Sequence, residues 1–197
     1  MRERTSAHCG QSRIQMTTAA YHEAGHIVVA ASLGLCLRPE GIMVGQDAQG
    51  LACFCKEPDG TDASVEANIL ASFAGFYTER RLRAMRGYKP RDFLAVMWSP
   101  DWIEARAKEK LFSGSYLAGR TIPAVQETLE VRAEQLVAQY WSPIEGLAQT
   151  LLSRDWEPIK PLKSGMRWSE SEGAKYVTGH EVVDILGRLG ITAHSAP

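Results

Sequence analysis

The sequence has few cysteines, no excess of either charge and no long apolar run, and each shortage removes a class of function. Four cysteines in 197 residues (Cys9, Cys36, Cys53 and Cys55) are too few and too scattered for a disulfide framework. The 22 basic and 23 acidic side chains nearly cancel, so the overall charge gives no footprint for nucleic acid or an anionic membrane. No stretch approaches the roughly 18 uncharged apolar residues of a membrane span, and the polar segment 1–13 is followed by no signal-peptide core. The expectation is a soluble, cytoplasmic protein with no integral membrane segment and no nucleic-acid partner. No internal repeat or low-complexity segment is present, and 197 residues suit a single domain.

What the sequence does have is His22-Glu23-Ala24-Gly25-His26. Residues four apart share one face of a helix, so His22 and His26 can offer imidazole nitrogens to one ion while Glu23 borders it as a general base. The competing reading is a helix with two partly buried histidines, each hydrogen-bonded to a neighbour. The surroundings favour a helix. Ala19 to Leu33 is alanine-rich and free of proline, Thr17 or Thr18 can cap its start, and Gly34 is a natural stop. It is apolar nearly all round, which predicts a core helix with its polar triplet facing a cleft. Gly25 costs helix propensity, for which room for metal, water or substrate is one return.

Downstream, Gly41 to Val44 and Leu51 to Phe54 read as a hairpin or strand pair. Cys53 and Cys55 face the same way on such a strand. Joined by His8 and Cys9 they would make a second metal site, but without a C-x-x-C spacing they read as reduced, half-buried thiols. A second helix is expected from Thr61 or Asp62 to Met85, closed by Gly87. The basic cluster Arg80, Arg81, Arg83, Arg86, Lys89 and Arg91 reads as its solvated end. Ser99 and Pro100 start a helix reaching Leu111, Gly114 to Gly119 breaks the pattern, and a helix runs from Pro123 to Tyr140. Ser142-Pro143-Ile144-Glu145 forms a capping box for another, and Thr178 with Glu181 caps a last one ending at Gly190. Residues 1–16 read as a flexible tail and 156–173 as a long surface loop. The sum is five or six helices around one strand pair.

A catalytic zinc takes three protein ligands, and His22 and His26 supply two. No third histidine follows before His180. Glu66 and Glu79 qualify on composition alone. Asp101 is preferred, because it lies in the first turn of a capped helix, where the backbone dipole favours a carboxylate, and Trp98 and Trp102 flank it.

The segment Thr18-Ala19-Ala20-Tyr21-His22-Glu23-Ala24-Gly25-His26-Ile27-Val28-Val29-Ala30 resembles the signature of the FtsH-type ATP-dependent zinc metalloproteases. Gly41 to Cys55, Ile69 to Leu82 and Thr178 to Leu186 are similar to later segments of that peptidase domain. In the family an aspartate that opens a helix completes the metal site, and Ser99-Pro100-Asp101-Trp102-Ile103-Glu104-Ala105 aligns with its context. The resemblance therefore implies a mainly α-helical, zincin-like peptidase domain, Zn2+ held by His22, His26 and Asp101, and Glu23 as the catalytic base. It implies a zinc-dependent endopeptidase acting on peptides or unfolded protein, with a homo-oligomer or a separate protein as possible partner. The alternative is a catalytically inactive metal-binding or interaction module with the same fold. Two departures stand out. No G-x-x-x-x-G-K-[ST] loop occurs in the 197 residues, so ATP-driven unfolding is not expected of them. In addition, Ala74-Gly75-Phe76-Tyr77-Thr78-Glu79 carries aromatics where the family is small and acidic.

Overall fold

In the computed structural model the described residues are 4–56, 59–87, 112–118, 120–162, 169 and 171–195, with backbone alone described for 4–13, 114, 122 and 123. Helix α1 (Arg4–Ser32) leads into strands β1 (Leu37–Gly45) and β2 (Gly50–Phe54), and helix α2 (Asp62–Met85) follows. The short helix α3 (Gly114–Leu117), then α4 (Ile122–Gln139) and α5 (Trp141–Ser153), precede strands β3 (Glu157–Pro158) and β4 (Gly173–Val177) and helix α6 (Gly179–Arg188). The chain is mainly helical with one small sheet.

The apolar composition of α1 places it at the centre. Ala20, Ala24, Ile27, Val28, Val29 and Ala30 are all fully buried, and α1 packs against α2, α5 and both hairpin strands. Each large aliphatic side chain removed from water in this way stabilises the fold by about 1.5–3 kcal/mol. The helix extends well before the expected start. It runs back to Arg4, so the segment read as a tail is helical from there, and Thr17 and Thr18 lie inside the helix rather than at its cap. Thr18 accordingly donates its hydroxyl to the Ile14 carbonyl four residues back, at 2.9 Å. Gly34 ends the helix in the left-handed conformation, φ +79°.

Gly25 serves helix packing rather than the cleft. A Cβ there would lie 2.2 Å from Thr78 Oγ1 and 3.0 Å from the Ala74 carbonyl oxygen. Its missing side chain lets the backbones of α1 and α2 approach where the two helices cross, which carries the motif face up against α2.

The expected hairpin is present, but it belongs to a four-stranded antiparallel sheet in the order β2-β1-β4-β3. Ile42 pairs with Ala52 on one side and with Val177 on the other. The strand at Gly173–Val177 went unread because its five residues follow a proline-rich polar stretch and alternate weakly. The segment expected as a surface loop thus contributes β3 and begins β4. Gly41, at φ +68°, sits in the irregular stretch of β1 between Leu37 and Ile42. A Cβ there would lie 2.2 Å from the Val177 carbonyl oxygen, so the β1–β4 approach depends on glycine.

The cap of α2 follows the expectation, with Thr61 accepting from the Ser64 amide and Gly87 following the helix at φ +80°. Thr178 and Glu181 form the reciprocal box that starts α6. The box expected at Ser142 is not formed. Tyr140 ends α4 and begins α5 without a side-chain cap, which puts Ser142 inside the helix, and Glu145 instead accepts from the Tyr21 hydroxyl at 3.2 Å. A four-residue helix capped by Ser113 occupies part of the expected break at 114–119. The helix expected from Ser99 to Leu111 lies outside the described residues.

Candidate metal centre

The middle of α1 presents His22, Glu23 and His26 beside α2 and β2. The two imidazole rings stand edge to face, with centroids 4.8 Å apart. Each is fixed through Nδ1. His26 Nδ1 lies 2.7 Å from the Ala71 carbonyl oxygen. A carbonyl only accepts, so Nδ1 carries the proton and the neutral ring holds its lone pair on Nε2. His22 Nδ1 lies 3.5 Å from Glu79 Oε2.

Gly75 of α2 shows where the opposite nitrogens point. A Cβ on Gly75 would lie 2.3 Å from His26 Nε2 and 2.7 Å from His22 Nε2. Both Nε2 atoms therefore converge on one small volume that only glycine leaves open. Two imidazoles held at Nδ1 by a carboxylate and a carbonyl, with their Nε2 atoms side by side, match the arrangement by which proteins orient histidines for a metal. In donor chemistry and in the space left by Gly75, these residues fit two positions of a zinc site.

The carboxylates divide differently from the sequence reading. Glu79 does not stand among the Nε2 atoms, since its Oε2 faces Nδ1 of His22 and its Oε1 takes the Arg83 guanidinium at 2.5 Å. Burial alone would raise the Glu79 carboxyl, but hydrogen bonding from His22 and the Arg83 charge outweigh it and hold the carboxyl below its ordinary value. Arg83, expected on a solvated helix end, thus turns inward to neutralise Glu79. Glu66 is placed elsewhere, with Tyr116 and Arg132 as its partners. Asp101 lies outside the described residues, and among the described residues no group of three or more His, Cys, Asp or Glu side chains is placed to hold a metal ion.

Glu23 is buried and packed against the first residue of β2. A Cβ on Gly50 would lie 2.4 Å from Glu23 Cγ and 2.5 Å from its Oε1, so glycine at the strand start makes room for this carboxylate. Glu23 and His26 open into a cavity of about 280 Å³, whose other walls include Gly50, Leu51, Ala52, Phe54 and Ser72. Among the described strands β2 is an edge of the sheet, and it forms one wall of the cavity. Ser72 is 2% exposed, and its hydroxyl has no hydrogen-bond partner among the described residues.

Sequence reading missed the supporting residues. Ala71 acts through its carbonyl, Gly75 and Gly50 through a missing Cβ, and Ser72 through its place in the wall. None of the four has a side chain that announces a site, and only the α1–α2 and α1–β2 packing reveals them. No protein-family model matches the chain, and no curated protein matches it.

Proposed function

We propose that the chain is a zinc-dependent endopeptidase that hydrolyses peptide bonds of peptides or unfolded proteins in the cytoplasm, without ATP-driven unfolding. The observation that carries this reading is the convergence of His22 Nε2 and His26 Nε2 on the space in front of Gly75, with Glu23 alongside at a cavity. In this reading His22 and His26 hold the ion, with Asp101 as the third ligand. When bound, zinc supplies Lewis acidity that polarises a substrate carbonyl and acidifies water.

The protein's own groups do the rest. Glu23 accepts a proton from the attacking water and returns it to the leaving amine. Its burial against Gly50 fixes the carboxylate at the cavity and limits bulk water around it. Glu79 and the Ala71 carbonyl hold the two rings in the tautomer that leaves Nε2 basic. Among the described strands β2 is an edge, so an extended segment could add to the sheet alongside Leu51 and Ala52 and bring its scissile bond to Glu23. Only chain that is already extended can pair in this way, which is the reason for naming unfolded substrates.

The test is a library of unfolded peptides incubated with zinc-loaded protein and analysed by mass spectrometry. Cleavage by the wild type, lost in Glu23→Gln and on chelation, supports the reading. Stoichiometric zinc without any cleavage would favour the inactive metal-binding module instead.

A further inference from the structure

Cys36 and Cys55 stand opposite each other at the open end of the β1–β2 hairpin. Leu37 pairs with Phe54, and one step outward the Cys55 amide donates to the Cys36 carbonyl at 2.8 Å. The Leu37 amide turns the other way, to the His194 carbonyl at 2.7 Å, so the Cys55 amide is the group that ties Cys55 to Cys36 directly across from it. Directly opposed residues of an antiparallel pair have Cα atoms about 4.5–5.5 Å apart, inside the window of roughly 4.4–6.8 Å that a disulfide spans. Leu37 and Phe54 are buried in the core, whereas Cys36 and Cys55 are half-buried and face the other side together.

We propose that Cys36 and Cys55 form an oxidisable dithiol, which a peroxide-class oxidant converts into a disulfide stapling the end of the hairpin. The Cys36 thiol donates to the Leu37 carbonyl at 3.9 Å, and burial, then the charge and hydrogen bonding of Cys55, pushes the Cys36 thiol up. With Cys55 as the first thiol to react, Cys36 is the resolving partner. The Cys55 thiolate attacks one peroxide oxygen, the O–O bond breaks, and a sulfenic acid and water result. The Cys36 sulfur then attacks the Cys55 sulfur, the S–S bond forms, and the S–O bond breaks as a second water leaves. Two thiols lose two electrons and two protons, and one peroxide takes them up to give two waters.

Cys53 is the internal control. It is buried, and its thiol is pushed up to about 12, first by burial and then by Glu40 and Glu23. The staple bears on the cavity wall, because Phe54 and Lys56, on either side of Cys55, both line it. Between Leu37 and Ile42 the β1–β2 register is irregular, so a covalent tie from Cys36 to Cys55 closes the hairpin beyond that stretch. The dithiol is independent of the chemistry at His22 and His26.

The experiment treats the full reduced chain with an equimolar amount of hydrogen peroxide and maps it by non-reducing digestion and mass spectrometry. Expected are a linked Cys36–Cys55 peptide pair, a mass lower by about 2 Da, and recovery of both thiols with a dithiol reductant. In Cys36→Ser, Cys55 should stop at the sulfenic acid and be tagged by dimedone. Linkage of Cys55 to any sulfur other than Cys36, or dimedone tagging of Cys55 to the same extent in wild type and variant, would overturn the proposal.

Discussion

Glu79 on α2 holds His22 on α1 from behind: its Oε2 lies 3.5 Å from Nδ1, and a Cβ on Gly75, one turn earlier on α2, would lie 2.7 Å from Nε2. One helix thus supplies both the carboxylate that orients the ring and the gap into which the ring points. In the proposed zinc site this relationship would separate the residues that bind the ion from those that aim them, and the two groups are distinguishable by measurement.

Glu79→Gln should weaken zinc binding by about 10–100-fold while leaving one site per chain, because the ring loses the carboxylate that fixes it. Competition with a chromophoric chelator reads this directly. Glu66→Gln is the control, since Glu66 is engaged with Tyr116 and Arg132, and its zinc affinity should match the wild type.

Gly75→Ala should abolish zinc binding with a modest loss of stability. The added methyl would sit 2.3 and 2.7 Å from the two Nε2 atoms, and relieving that overlap costs about 1–3 kcal/mol while turning the rings aside. Gly187→Ala in α6 provides the contrast, because nothing lies within 4 Å of its Cβ. It should stabilise the protein by about 0.4–1 kcal/mol and leave zinc affinity unchanged. Urea denaturation beside zinc titration checks both. Full zinc affinity in Gly75→Ala would mean that the convergence point is not the metal site.

Gly50→Ala should separate catalysis from binding. The new Cβ would lie 2.4 Å from Glu23 Cγ and reach neither histidine among its nearest contacts. Turnover on an unfolded peptide should therefore fall by roughly tenfold or more, as expected when a base is displaced, with zinc affinity retained.

Much of this was legible in the sequence, for identifiable physical reasons. Thr61, Gly87, Thr178 with Glu181, and Gly34 are local signals, and each cap or stop lies where backbone hydrogen bonding and positive φ require it. The spacing of His22, Glu23 and His26 follows from helix geometry alone. What escaped depends on contacts distant in sequence. Gly25 in isolation suggests room for metal, water or substrate, whereas in the fold it is a helix crossing against Thr78, fifty-three residues away along the chain. Glu79 qualifies as a ligand on composition, but its carboxylate faces Nδ1 of His22 rather than the Nε2 side, a distinction that composition cannot make. The start of α1 was misplaced because Thr17 and Thr18, good caps in isolation, are equally able to bond back within a helix that continues. Strand β4 is short and gains its stability from β1, so its own five residues carry little signal.

The acid limb of stability should report Glu181. Its carboxyl is held low first by the Thr178 backbone amide, against partial burial, with further help from the Thr178 hydroxyl and Arg154. A folded pKa below the unfolded one gives stability that is present above the unfolded pKa and lost as pH falls through the folded value. Glu181→Gln keeps a side chain able to close the box but removes the charge. The variant should melt below the wild type at neutral pH, and the difference should shrink once the pH falls below the ordinary glutamate value of about 4.3 and vanish below the folded one. A gap in Tm that stays constant from neutral to acid would rule out the charge as its cause.

The most direct measurement compares kcat/KM on an unfolded peptide for wild type and Glu23→Gln at equal zinc occupancy. With Glu23 as the proton carrier and His22 and His26 as ligands, occupancy stays the same and the rate falls by about 10²–10⁴-fold. Equal rates in the two proteins, or no cleavage by a fully zinc-loaded wild type, would contradict the assignment of a zinc peptidase.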